Sequence, residues 1–192
     1  MKIIALSSKL GCGKTTVANM ILESVPKAVR LAFADNLKVE AANTYKFPLE
    51  LCYSEAGKQT LVFLGQEGME NLGAHTMSVR SVLQRHGTEF RRTQDHDYWD
   101  NKMREALRLH EHNGTPLVVV DDVRFESECA LIREFNGALY RLQPYPGWKP
   151  GKNADHISET ALDDYDRFDM VFCPEKGMEQ LQAVAQFICD AL

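Results

Sequence analysis

The chain has 192 residues, with 22 basic and 27 acidic side chains, a formal net charge of −5 and 44% hydrophobic residues. That is the size and balance of one ordinary α/β domain, long enough to bury a core without staples. An acidic surface excludes broad electrostatic binding of a nucleic acid polymer or an anionic membrane, but leaves room for a local basic pocket that takes a small phosphorylated ligand.

Residues 2–6 (KIIAL) read as a buried strand that runs into a Ser- and Gly-rich turn. Helical spacing follows over 14–23, with Val17, Met20 and Ile21 on one side. Residues 29–33 (VRLAF) read as a short second strand, after which Asp35 and Asn36 are placed to cap a helix over 37–45. The stretch 46–77 mixes Pro48, several glycines and alternating polarity, and predicts loops and short helices. A helix over 78–86 is expected to stop at Gly87. Another is expected over 97–112, with Asp97 as its cap and Asn113-Gly114 as its end. Residues 117–120 (LVVV) are a strand of the fully buried kind. A helix over 126–135 ends at Asn136-Gly137, and a strand over 138–142 follows. The Pro- and Gly-rich stretch 143–155 reads as a surface loop, 170–173 as a last strand and 178–192 as an amphipathic helix. Strands alternating with helices imply a mostly parallel sheet covered on both faces. We read residues 1–192 as a single domain with two inserts, 36–100 and 143–158.

The five cysteines (Cys12, Cys52, Cys129, Cys173 and Cys189) are odd in number and contain no CxxC pair. Neither a disulfide framework nor a zinc site is expected, and a reducing cytoplasm is. No signal-peptide pattern and no apolar run of membrane-spanning length is expected.

The sharpest chemical signal is SSKLGCGKTT, residues 7–16, between the first strand and the first helix. This is the setting of a Walker A phosphate loop. Gly11 and Gly13 let the backbone curl so that successive N–H groups point at oxygen anions, and the helix N-terminus adds its dipole. Lys14 supplies a positive charge for the β- and γ-phosphates, and Thr15 a hydroxyl for Mg2+. The pattern GxxxxGK[ST] asks for Gly at position 8, where this chain has Ser8. The ATP contacts are assigned to Ser8, Lys9, Gly11, Cys12, Gly13, Lys14, Thr15 and Thr16. A second acidic signal, VVVDDVRF, puts Asp121 and Asp122 at the C-terminal end of a buried strand, the edge at which such sheets bind ligands. Asp122 is placed to hold Mg2+ or its water, as a Walker B carboxylate does, and Arg124 to reach a phosphate. A strand-end turn with a surface arginine is the other reading of these residues.

Together these segments resemble the deoxynucleoside monophosphate kinases of tailed bacteriophages. The resemblance is carried by five ordered blocks: KIIALSSKLGCGKTT; LAFADNLK; SVRSVLQRHGTEFRR with Tyr98-Trp99; VVVDDVRFESECALIREFNGALYRL; and DHISE with the closing strand and helix. It implies a three-layer P-loop kinase fold, with a five-stranded parallel sheet in the order 2-3-1-4-5 and monophosphate-binding (36–100) and lid (143–158) inserts. It implies transfer of the ATP γ-phosphate, with Mg2+, to a deoxynucleoside monophosphate in the cytoplasm (the host's, if phage-encoded). Members of the family are often dimers, so the resemblance admits a homodimer.

The resemblance further implies that Lys14, Arg92, Arg124 and Asp122 are catalytic. Asp35, Lys38, Arg80, Gln84, Thr88, Arg92, Trp99, Arg124, His156 and Glu159 would serve the substrate, and Thr15 and Asp122 the metal. Arginine suits such a site because its fork binds two phosphate oxygens at once. Arg80 and Gln84 share a helix face at a spacing of four. Trp99 either stacks on a base or fills the core, Asp35 either binds or caps, and His156 is a ligand or structural. Lys149 and Lys152, in the lid loop, either touch phosphates or are solvated. The family often has basic residues where Leu10 and Gly11 stand and Asp where Thr15 stands, so another Arg or Lys9 has to take the part of a loop arginine. The rival readings are a related small-molecule kinase such as a phosphomevalonate kinase, and a non-catalytic nucleotide-binding module. A GTPase is excluded: the strand ending at Leu142 leads into Gln143-Pro144 with no NKxD, and DDVR is no DxxG.

Overall fold

The computed structural model describes residues 1–150 and 155–192 and divides the chain into two compact units, Met1–Ala32 with Met103–Leu192, and Phe33–Lys102. In chain order, β1 (Lys2–Ser8), α1 (Lys14–Ser24) and β2 (Val29–Leu31) come first. Next are α2 (Phe33–Tyr45), a 3-10 turn (Leu49–Cys52), α3 (Glu55–Gln59), β3 (Leu61–Phe63), α4 (Gly65–Leu72) and β4 (Thr76–Ser78). Then come α5 (Val79–Gln84), a π-helical segment (Arg85–Arg91), α6 (Arg92–Gln94) and α7 (Tyr98–His112). The chain ends with β5 (Leu117–Val120), α8 (Glu126–Glu134), β6 (Ala138–Leu142), α9 (Ile157–Thr160), β7 (Met170–Phe172) and α10 (Met178–Asp190).

The first unit is built on a five-stranded sheet, β2-β5-β1-β6-β7, with every pair parallel. Counting only the strands of this sheet, the order is 2-3-1-4-5, as the resemblance implies. β1 lies at its centre, buried from Ile3 to Ser8, because both faces of a parallel sheet are covered. On one face Ile4, Leu6, Leu117 and Val119 pack with Val17, Ala18 and Ile21 of α1 and Val184, Ala185 and Ile188 of α10. The alternation of strand side chains sends Ile3, Ala5, Val118 and Leu139, also buried, to the other face, where α8 lies against β6. Such an α/β sheet, flanked by helices, is consistent with a P-loop kinase fold. No helix among the described residues is long and apolar enough to cross a membrane.

The second unit packs α2, α4 and α5 with the antiparallel pair β3–β4 around Ala41, Ala42, Tyr45, Phe47, Cys52, Val62, Leu64, Leu72, Val79 and Val82. Three expectations are corrected here. β2 ends at Leu31 and α2 begins at Phe33, so Asp35 lies in the first turn of the helix rather than capping it, and pairs with Lys38 one turn on at 3.0 Å. Gly87 does not end a helix. The helix widens to π geometry through Arg85–Arg91, and Gly87 lies so near Leu37 of α2 that a Cβ would come within 2.9 Å of it. Finally, 46–77 contains the strand pair β3–β4 as well as short helices.

Candidate active site

The loop between β1 and α1 turns on Gly11 (φ 80°) and Gly13 (φ 91°), left-handed conformations that other residues adopt only under strain. A Cβ on Gly13 would also come within 2.7 Å of Leu181. Ser8 needs no such freedom: it is the last residue of β1, paired in register with Leu142. Its hydroxyl accepts from Lys14 Nζ at 2.9 Å and donates to the Lys9 carbonyl at 2.9 Å. Lys14 Nζ also donates to the Ser8 carbonyl at 2.7 Å and is buried. Burial, and then the positive charge of Arg124, bring its pKa down to about 8. The first amides of α1 lack intrahelical partners, so the loop presents donors, a helix dipole and an ammonium together. Cys12 is buried in this loop, and burial raises its pKa, so it packs rather than reacts.

Thr15, on the first turn of α1, donates its hydroxyl to Asp121 Oδ2 at 3.3 Å. The Asp121 carboxylate is 2% exposed, and its Oδ1 lies 2.8 Å from Arg30 Nη2. The sequence reading favoured Asp122 for the metal; the structure brings Asp121 to Thr15 and leaves Asp122 half-buried, near enough to Lys14 for its charge to be felt there. A hydroxyl beside a carboxylate fits Mg2+, a hard cation that takes a few protein oxygens and completes its octahedron with phosphate and water. Thr15, Asp121 and Asp122 are the residues that would hold it.

Arg124 and Glu159 meet beside the loop. The Arg124 guanidinium pairs with Glu159 Oε1 and donates to the Ser158 carbonyl at 3.0 Å, while its backbone N–H is fixed by buried Glu128 at 2.7 Å. Glu159 Oε2 accepts the Leu10 N–H of the loop between β1 and α1 at 3.0 Å. Lys9 Nζ reaches the Glu159 carbonyl at 2.7 Å and Asp163 Oδ2 at 2.6 Å. His156 caps α9, its Nδ1 accepting the Ser158 N–H at 3.2 Å, which is the structural alternative for that residue. Trp148 donates from Nε1 to the Leu10 carbonyl at 3.0 Å, and Lys149 beside it is exposed; Lys152 lies outside the described residues.

Sequence reading missed Arg141, Arg30 and Trp148. Arg141 is buried on β6 opposite Ser7, donates to the Leu162 carbonyl at 2.6 Å and to Asp163 at 3.0 Å, and stacks on Phe168. Its signal was available: an arginine inside the apolar strand ALYRL has to be paired. A small cavity is lined by Ser7, Ser8, Val123, Arg124, Arg141 and Glu159.

The other sequence candidates lie in the second unit. Arg80 on α5 bonds Glu55 at 2.5 Å. Lys38 lies over the Tyr53 ring at 5.0 Å, beside its bond to Asp35. Gln84 ends α5 and Thr88 sits in the π segment, both half-buried. The Arg92 side chain is 10% exposed, 3.8 Å from Asp100. Trp99 is 4% exposed and its indole N–H donates to the Gly87 carbonyl at 3.0 Å, the core alternative for that residue. Around it, Glu40 accepts from Tyr98 at 2.6 Å, from His86 Nε2 at 2.9 Å and from Arg91 Nε, while His86 Nδ1 accepts the Tyr45 hydroxyl at 2.8 Å. Partial burial pushes Glu40 up, but the three donors and the charge of Arg91 hold it below the ordinary carboxylate range. Burial, opposed by Glu40, lowers the pKa of His86.

The helix-flanked parallel sheet is consistent with a P-loop kinase fold, and a lysine and a hydroxyl–carboxylate pair lie at the end of its central strands. No family model matches the chain. It is similar to a protein of Acanthamoeba polyphaga mimivirus named "Putative deoxynucleotide monophosphate kinase", 27% identical over 200 residues that span 94% of this chain and 92% of that one. The similarity is to a mimivirus protein and does not single out the bacteriophage branch.

Proposed function

We propose that the protein is a deoxynucleoside monophosphate kinase. An oxygen of the acceptor phosphate attacks the γ-phosphorus of ATP, the bond from that phosphorus to the β–γ bridging oxygen breaks, and ADP and a deoxynucleoside diphosphate leave. The observation that carries this is the loop of residues 8–14, in which two left-handed glycines, the N-terminus of α1 and buried Lys14 converge after the central strand. Phosphoryl transfer asks for in-line placement and positive charge more than for a protein base. Lys14 and Arg124 supply that charge on the donor side, and Thr15 with Asp121 and Asp122 serves Mg2+. Lys38, Arg80 and Arg92 of the second unit hold the acceptor phosphate. The named relative supports the acceptor class.

A phosphorylated small molecule such as phosphomevalonate is the second reading, favoured by the burial of Trp99, which removes one base-reading side chain. The test is a coupled ADP-release assay with ATP, Mg2+ and each of dAMP, dCMP, dGMP, dTMP and dUMP in turn, with phosphomevalonate alongside. We expect turnover with one or a few deoxynucleotides. Turnover with phosphomevalonate alone selects the second reading, and failure to bind ATP overturns both.

A further inference from the structure

The contacts of Glu159 go beyond a structural salt bridge. Its carboxylate takes the Leu10 amide of the phosphate loop at one oxygen and the Arg124 guanidinium at the other. An amide donor in a Gly-rich loop and a guanidinium are the partners that a phosphate oxygen takes. The Glu159 main-chain carbonyl adds Lys9 Nζ, and the Ser158 carbonyl a further bond to Arg124. The loop therefore has an anion against it that the chain itself supplies.

We propose that the Glu159 carboxylate is an internal anion that occupies the donor-phosphate groups of the empty protein, and that a polyphosphate binds by displacing it. This rests on the reading of residues 8–16 as the donor phosphate loop. The segment is built to move. α9 is a single turn of four residues with no buried residue, held at its start by the His156 cap, and Ile157 is 51% exposed. Its far end is fixed by buried Leu162 and by Asp163, clamped between Arg141 and Lys9. Glu159 can thus swing out about the 161–163 anchor, breaking polar bonds that a triphosphate makes again and little apolar packing. Binding then selects the state with the carboxylate withdrawn, and the apparent affinity is reduced by the fraction of protein in that state. The contact discriminates by charge: an inorganic or nucleoside triphosphate competes with a carboxylate for Arg124, and a neutral nucleoside does not.

The experiment is calorimetric titration of the full chain with inorganic tripolyphosphate, for the wild type and Glu159→Gln, with thermal unfolding of each in the absence of ligand. The amide keeps the size of the side chain and removes the competing charge. With the competing charge-assisted bond removed, Glu159→Gln should lower the Kd for tripolyphosphate roughly tenfold or more. Should that variant unfold early, Glu159→Asp, one methylene too short to span Leu10 and Arg124 together, should also bind more tightly. Equal or weaker binding in folded variants overturns the proposal and makes Glu159 a positioning partner of Arg124. Tighter binding without turnover of any deoxynucleotide leaves the internal anion standing and removes the deoxynucleoside monophosphate kinase reading. A wild-type protein and variants that bind no tripolyphosphate overturn both.

Discussion

Lys14 has three partners in the loop that sequence alone could not supply, the Ser8 hydroxyl, the Ser8 carbonyl and, at 3.4 Å, the Lys9 carbonyl. The departure from the Walker A pattern at position 8 is thereby explained: Ser8 stays in the strand, and its hydroxyl takes up the lysine that a glycine would leave to the backbone. Burial, with Arg124 nearby, brings Lys14 to about pKa 8 from the ordinary 10.5. Between those two values the native protein binds fewer protons here than the unfolded chain does, so this residue's contribution makes stability rise with pH over that window. Urea unfolding at pH 7.5, 9 and 10 should show the wild type gaining on Lys14→Met as pH rises; a constant difference would mean that the ammonium is well solvated. With substrate, Lys14→Ala should lose roughly 10²-fold or more in kcat, since it removes charge aimed at the transferring group. Retained turnover would remove Lys14 from the chemistry.

Among the elements, β5 and β6 were legible to the residue, because apolar runs flanked by turn signals leave one way to be buried on both faces. β3 and β4 were not: each has three residues, and the antiparallel pairing joins them across α4, a relation that no local pattern encodes. Nor was the π segment, where Gly87 looked like a stop and instead admits Leu37 while its carbonyl receives Trp99. The same segment carries His86 and Arg91 to Glu40, a carboxylate with three donors on which α2, the π segment and α7 converge. Glu40→Gln should cost about 1.5–3 kcal/mol at neutral pH, as hydrogen bonds to a charged group do. Because the carboxyl is held below its ordinary range, its contribution is present above that range and is lost as pH falls through the lowered value. Denaturant curves of wild type and variant should therefore converge in acid. A gap that persists there would assign the effect to packing rather than to charge.

For the whole molecule, the chain leaves the first unit after Ala32 and returns at Met103, and the chemistry proposed here divides at the same places. The glycine turn between β1 and α1 was legible because seven consecutive residues encode it. The bonds that tune it were not: Thr15 to Asp121, Leu10 to Glu159 and Arg141 to Asp163 join positions 106, 149 and 22 apart, and become visible only once the sheet order sets the strand ends side by side. If the first unit holds ATP and the second the monophosphate, removing a cation from the second should split the kinetic constants. Arg80, whose guanidinium is partly exposed and bonded to the largely exposed Glu55, can turn to an anionic ligand at little cost. Steady-state kinetics of Arg80→Ala should show a KM for the deoxynucleoside monophosphate raised roughly 10- to 100-fold, the worth of one charge-assisted bond, and a KM for ATP within about twofold of wild type. Equal effects on the two substrates would take Arg80 out of the acceptor site and leave Lys38 and Arg92 to hold the phosphate.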